Sequence, residues 1–360
     1  MHLLAITTTS DRSEVAIYSG LVQRGHTVDM LCHAEAPENE ALRAAGVRLH
    51  PIRIRHRLDL PAVRHVRQAI RGVKPNVIYA PRNSSLAVSL MATSGTLIPV
   101  VTYRGTIGHI SRFDPAAWLT YLHPRLRRIV CVSEAVRRYL LKFNPPAQQL
   151  VTIHKGHALD WYDAMPKPTR ASLGLPTDAI LVGFTGRMRP VKGGDVLLRA
   201  MARLSPQLNV HLVIVGEVAD PVIRQLTESL HLQDRIHCLG FRADAAALAA
   251  VFDVFVMPSL EREGLPRAVI EAMAQRVAPI VTNVGGMPEL VQDGISGLVI
   301  PPNDPGALAA AIAALARDPA RCRTMGAAAR RRIETNFNIT DTILQMEQVL
   351  QGVVVARNAG

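Results

Sequence analysis

The sequence predicts an α/β protein made of two doubly wound, Rossmann-like domains, each a parallel sheet flanked by helices, facing a central cleft. Three observations predict it. Short apolar runs alternate with helix-like segments along the chain, the pattern of strands joined by helical crossovers. The alternation pauses once, over residues 155–178, where Pro166, Pro168 and Pro176 and the lack of any clear period read as a linker. Finally, 360 residues with 48% hydrophobic content suffice for two buried cores.

Taken in order, strands are expected at 2–6, 27–32, 47–52, 76–80, 99–103 and 128–132. The pattern restarts with strands at 179–185, 210–215, 235–239, 254–257, 279–282 and 297–300. The domains are therefore placed at 1–160 and 161–338, with 339–360 as a C-terminal helix. The tail from Asp318 onward is rich in Ala and Arg and has no strand after it. In open sheets of this kind ligands bind outside the carboxyl ends of the strands.

Charge separates the halves. Residues 1–160 carry 21 Lys and Arg against 10 Asp and Glu, so nearly all of the net charge of +12 lies there. Val63, Val66 and Ile70 recur on one side of a predicted helix, and Arg64, Arg67 and Arg71 on another. One reading is a solvated basic face on a helix that packs on its sheet. The other is a cationic face that rests on anionic lipid headgroups or a phosphorylated acceptor. Nucleic acid is not expected, because aromatic content is 4% and no recognition motif interleaves with the basic residues. Cys32, Cys131, Cys238 and Cys322 lie far apart and read as reduced, buried thiols. No apolar run approaches the roughly 18–20 residues that span a bilayer, and the first residues read as a strand. The expected location is cytoplasmic, with peripheral contact at the inner face of the membrane.

The chemistry-bearing residues concentrate in the second half. Glu263 and Glu271 bracket a helix start, with Pro266 expected in the first helical turn, so loop and helix can turn both carboxylates to one ligand. A carboxylate accepts paired, charge-assisted hydrogen bonds from a diol, and the adjacent helix start offers amides to an anion. The bare spacing is equally that of a surface Glu and an ordinary helix Glu. Arg187 and Lys192 flank a turn containing Gly186, Pro190, Gly193 and Gly194, where backbone amides and two cations can meet a phosphate. Loop cations are also often merely solvated.

The stretch 258–273, the loop 186–193, and the segments 213–217, 237–242, 285–294 and 297–304 together resemble, in order, the family 4 glycosyltransferases, retaining enzymes of the GT-B fold. The resemblance covers most of residues 180–305, and the first half follows the family only in outline. It implies a glycosyltransferase that uses a nucleotide-diphosphate sugar as donor and no other cofactor. It implies that Arg187 and Lys192 hold the diphosphate, Glu271 the ribose hydroxyls, and Glu263 with Gly264 and Leu265 the donor sugar. It also implies that residues 339–353 cross back to the first domain. No D-x-D triplet occurs, so a bridging metal has no obvious ligands, and Arg187 and Lys192 would neutralise the leaving group instead. The first half departs from the family at the loop 7–13, which lacks paired glycines, and at the strand 99–103, which runs into Arg104 where members carry a His. Arg104 and His109 are the candidates for acceptor or active-site roles there. The implied acceptor is a hydroxyl of a bacterial surface glycan or lipid-linked precursor, as in lipopolysaccharide or exopolysaccharide synthesis. Rival readings are a sugar-nucleotide epimerase, a phosphorylase, and a non-catalytic sugar-nucleotide-binding protein.

Overall fold

The structure, a computed structural model, describes residues 1–218 and 220–358. It divides into two units, one of Met1–Gly156 with the chain from Asn338 onward, the other of His157–Phe337. The sequence reading put these borders at 160 and 338, and the last two residues of its C-terminal segment, 359 and 360, lie outside the described residues.

The first unit holds a seven-stranded sheet in the order β3-β2-β1-β4-β5-β6-β7. Its strands are β1 His2–Ile6, β2 Thr27–Cys32, β3 Arg48–Pro51, β4 Val77–Tyr79, β5 Val100–Arg104, β6 Leu126–Cys131 and β7 Leu150–Thr152. The second unit holds six, β8 Ile180–Thr185, β9 Val210–Val215, β10 Ile236–Cys238, β11 Val254–Met257, β12 Ala278–Thr282 and β13 Leu298–Ile300, in the order β10-β9-β8-β11-β12-β13. Every pairing is parallel. Central strands are covered by helices on both faces, which is why Leu3-Leu4-Ala5-Ile6 and Val254-Phe255-Val256 read as continuous apolar runs. In the first unit the chain winds outward through β2 and β3, then returns to the other side of β1. The order thus reverses between β1 and β4, and in the second unit between β8 and β11. Those reversals leave crevices at the carboxyl ends of the strands, where ligands of such sheets bind.

The terminal helix Ile339–Asn358 belongs to the first unit and packs on helix Arg12–Gln23. Met346, Leu350 and Val353, at helical spacing, are buried. Glu347 anchors it by accepting from Arg24 Nε at 2.7 Å and pairing with His26 at 2.5 Å. Thr342 Oγ1 accepts from the Gly156 amide at 2.9 Å.

Three local expectations change. The edge strand β7 was not anticipated, because three residues after Pro145 and Pro146 give no readable period. The stretch expected as a linker is packed: helix Asp160–Asp163 buries Tyr162, whose hydroxyl meets Nδ1 of buried His157 at 2.5 Å. Cys238 ends the edge strand β10 and is exposed, whereas Cys32, Cys131 and Cys322 are buried.

The predicted basic helix is Leu60–Val73, with Val63, Val66 and Ile70 buried and Arg64, Arg67 and Arg71 exposed. Arg67 is not simply solvated. Its guanidinium donates to the carbonyls of Met91 (3.1 Å) and Ala92 (3.4 Å) at the end of helix Asn83–Ala92. Arg125 donates to Thr93 O and Thr96 O just beyond, both at 2.7 Å. Cations at a helix C-terminus satisfy its orphan carbonyls and oppose its dipole, so part of the basic surplus is structural. Among the described residues no helix is long and apolar enough to cross a membrane.

Candidate functional site

In the second unit the order reversal places two loops side by side, one after β8 and one after β11. The chain leaves β8 through Gly186, whose amide donates to Val215 O at 2.9 Å. Gly216, beyond β9, lies at φ 143°, and a Cβ there would stand 2.2 Å from Gly186 O, so only glycine lets the two strand ends come this close. The β8 loop then makes a 3₁₀ turn, Pro190–Lys192, and enters helix Gly194–Ala202 through Gly193 at φ 67°. A Cβ on Gly193 would meet Pro258 O at 2.1 Å, which fixes this helix start against the end of β11. No side chain caps that helix, so its first amides remain available to an anion.

The β11 loop carries Glu263, which is 7% exposed. Its Oε1 accepts from Lys192 Nζ at 2.5 Å and from Ser259 Oγ at 2.6 Å. Ser259 is itself buried, and its carbonyl accepts from Thr282 Oγ1 at 2.6 Å. Lys192 and Glu263, 71 positions apart, are thus brought together as a charge pair braced from β12. Gly264, buried, and Leu265, half-buried, follow directly, and Pro266 is the N-cap of helix Arg267–Ala274, one step before the first turn expected for it.

Glu271 lies on that helix, largely buried, with Arg267 Nε 3.2 Å from Oε1. Burial pushes its carboxyl up to about 6, and Arg267 pulls the other way. Arg187 stands exposed at the rim, 3.5 Å from Glu217, a partner the sequence reading gave no role. Both side chains are more than half exposed, so this pair adds little stability and leaves Arg187 free to turn to a ligand. Among the described residues no group of three or more His, Cys, Asp or Glu side chains could hold a metal ion.

In the first unit the strand ends carry a cluster that sequence reasoning did not single out. Lys155, after β7, donates to Asp11 and Glu14 and lies over the Tyr103 ring at 5.3 Å. Arg82, after β4, pairs with Glu14 at 3.2 Å. Asp11 also forms a capping box with Glu14 at the start of helix Arg12–Gln23. The Asp11-x-x-Glu14 spacing marks only a helix start; the reversal at β1 and β4 brings Arg82 to it, and the chain after β7 returns to it, with Ser13 Oγ donating to Gly156 O at 2.9 Å.

Arg104 is placed differently from its sequence expectation as a cation available to ligand. It is 6% exposed and folds onto its own loop, with Nε donating to Thr106 O at 2.9 Å and a terminal nitrogen donating to Gly108 O. Its guanidinium lies 4.7 Å from the Tyr121 ring centre, and Tyr121 donates to Asn83 Oδ1 at 2.9 Å. Arg104 therefore braces the loop that presents His109. That histidine is exposed and held at φ 59°, an uncommon backbone state for a residue with a side chain.

A fold of two parallel-sheet units, the second with a phosphate-suited loop beside a buried carboxylate, is that of the GT-B glycosyltransferases. The family description "Glycosyl transferases group 1" matches residues 167–332, and "Glycosyltransferase Family 4" matches residues 15–161. The chain belongs to the family 4 glycosyltransferases. Among curated proteins it is 35% identical over 224 residues to a D-inositol 3-phosphate glycosyltransferase of Streptomyces avermitilis, covering 58% of this chain and 48% of that one. It is 31% identical over 232 residues to the Mycobacterium bovis protein of the same name, covering 61% and 47%. The chain spans about half the length of the curated relatives it matches. Among solved structures, a glycosyltransferase from Rickettsia africae superposes with a TM-score of 0.83 at 20% identity, covering 98% of each chain. Anabaena HepE, solved with UDP and glucose, gives 0.81 at 22% identity, covering 98% of this chain and all of that one. At these identities the likeness carries the fold.

Proposed function

We propose that the protein transfers a sugar from a nucleotide-diphosphate donor to a hydroxyl of a glycan or lipid-linked precursor, with retention and without a metal. The observation that carries this reading is the Lys192–Glu263 pair, 2.5 Å apart, beside an uncapped helix start in a family 4 glycosyltransferase. Lys192 and Arg187, with the amides at Gly194–Ala202, take the diphosphate and oppose the negative charge that grows on it as the sugar bond breaks. Glu271 accepts the ribose hydroxyls. Glu263, with Gly264 and Leu265, holds the donor sugar. Lys192 bridges the two functions, because the cation that meets the leaving phosphate also orients the carboxylate that meets the sugar. Retention follows if the acceptor attacks from the leaving-group face, which needs no separate carboxylate base. UDP in the HepE structure and the D-inositol 3-phosphate relatives support a uridine-type donor and a hydroxyl acceptor. The neighbouring structures of WaaB and WaaG, one a lipopolysaccharide outer core galactosyltransferase and the other involved in lipopolysaccharide biosynthesis, support a surface-glycan acceptor.

The test incubates the purified chain with a panel of nucleotide sugars and follows nucleotide release with and without hydroxyl acceptors, including inositol phosphate and lipid-linked sugars. Acceptor-dependent release from one donor supports the reading. Binding of nucleotide sugar with no release under any acceptor favours a sugar-nucleotide-binding protein, and conversion of the donor sugar without acceptor favours an epimerase.

A further inference from the structure

A cleft of about 580 Å³ opens in the first unit at the amino-terminal ends of β6 and β7, the end of the sheet away from the Lys155 cluster. Its volume lies within the roughly 300–1,000 Å³ typical of ligand sites. Three features of its lining define a chemistry. Arg112, Arg127 and Arg128 supply positive charge, and among the described residues no acidic side chain lines the cleft. Trp118 and Phe143 supply aromatic surface, and the largely buried Tyr121 lies behind them in the lining. Trp118 is fixed while 51% exposed, because its indole N–H donates to Arg112 O at 2.9 Å, and Phe143 is held edge-to-face on Tyr139 at 5.5 Å. Asn144, Gln148 and Gln149 supply amides, groups that both donate and accept hydrogen bonds.

We propose that this cleft is a second binding site, for an acidic oligosaccharide. Sugar rings present apolar C–H faces that suit preset aromatic rings. Their hydroxyls both donate and accept, as the amide wall does, and carboxylate or phosphate substituents match an arginine set with no acid to compensate it. The three arginines do not come from one helix face. They converge from the segment after β5 and from the start of β6, so the charge is focused on a concavity. This site goes beyond the transfer reading, since none of its residues belongs to the donor machinery.

The experiment titrates the full chain with a short oligogalacturonate and with its neutral methyl-esterified form by calorimetry, using wild type, Trp118→Ala and the Arg127→Gln/Arg128→Gln double variant. Circular dichroism and nucleotide-sugar binding confirm that each variant is folded. The acidic oligomer binds wild type at least about tenfold more tightly than the neutral one, and each variant loses about tenfold or more in affinity, as expected for a lost anchor or charged contact. Raising salt weakens the acidic ligand selectively. Equal affinity for the two forms, no binding of either, or binding that both variants preserve overturns the proposal. So does flotation on anionic vesicles that the double variant abolishes while no oligosaccharide binds, since the surface would then be a lipid contact.

Discussion

Replacing Lys192 by Ala separates what the Lys192–Glu263 pair does for folding from what it does for chemistry. Glu263 is 7% exposed, and without Lys192 its carboxylate keeps the Ser259 hydroxyl at 2.6 Å but loses its counter-charge. Removing one member of a fully buried pair costs about 3–5 kcal/mol. Here the Lys192 side chain is 28% exposed, so water can replace part of the lost solvation, and about 1–2 kcal/mol is expected. For a domain of this size that lowers Tm by roughly 2–8 °C. Turnover should fall about 10²-fold or more, because the same ammonium opposes charge that appears only in the transition state. The Lys192→Met/Glu263→Gln double variant resolves the two. It removes both charges, keeps the side-chain volumes and the Ser259 bond, and should recover most of the lost Tm while recovering no turnover. The assay is calorimetric melting alongside initial rates of nucleotide release with the true donor. If Lys192→Ala turns over near the wild-type rate, or the double variant restores rate together with stability, the pair is structural and the assigned donor site is wrong.

The other predictions concern separate parts of the chain. Burial pushes the Glu271 carboxyl from its ordinary 4.5 up to about 6, so the ionised form proposed to accept the ribose hydroxyls is complete only above that pH. Donor affinity should therefore fall as pH drops from 7 to 5, and a Glu271→Gln variant should bind weakly with little pH dependence; unchanged pH dependence in that variant would place the titration elsewhere. The same raised value means the folded chain holds this proton more tightly than the unfolded one, so the residue's contribution to stability declines as pH rises from about 4.5 to 6. Transfer should persist in excess EDTA, and activity that collapses and returns with Mg²⁺ contradicts the metal-free mechanism. Replacing Arg64 and Arg71 by Gln should weaken binding to anionic vesicles in flotation and leave melting unchanged, whereas Arg67→Gln should lower Tm through its lost helix-end contacts, about 1 kcal/mol. Vesicle binding that survives the double substitution makes that face merely solvated.

What could be read from sequence divides along a physical line. β1, β2, β9 and β11 were legible with their bounds because strands buried on both faces are mostly apolar, a property of each residue independent of its partners, with buried Asp29 of β2 the exception. The loop after β8 was legible for a related reason: a Cβ at Gly193 or Gly216 would stand 2.1 or 2.2 Å from a backbone oxygen, so the requirement for glycine is written in residue type. The first unit's site is of another kind. Lys155 meets Asp11 across 144 positions, and the pairing exists only because the chain after β7 runs back to the start of helix Arg12–Gln23. Arg104 shows the limit most sharply. Its position at a strand end suggested a cation facing ligand, but a guanidinium has five donors and bonds wherever carbonyls converge. The carbonyls of Thr106 and Gly108 converge on it because the chain turns back at Gly108 and His109, both at positive φ. Direction is a property of the loop, and the loop is not periodic. It follows that an Arg104→Lys variant, which retains the charge but cannot span both carbonyls, should loosen the His109 loop and raise acceptor KM with donor affinity unchanged. A variant that instead weakens the donor while leaving acceptor KM intact would return Arg104 to the ligand-facing role its sequence position suggested.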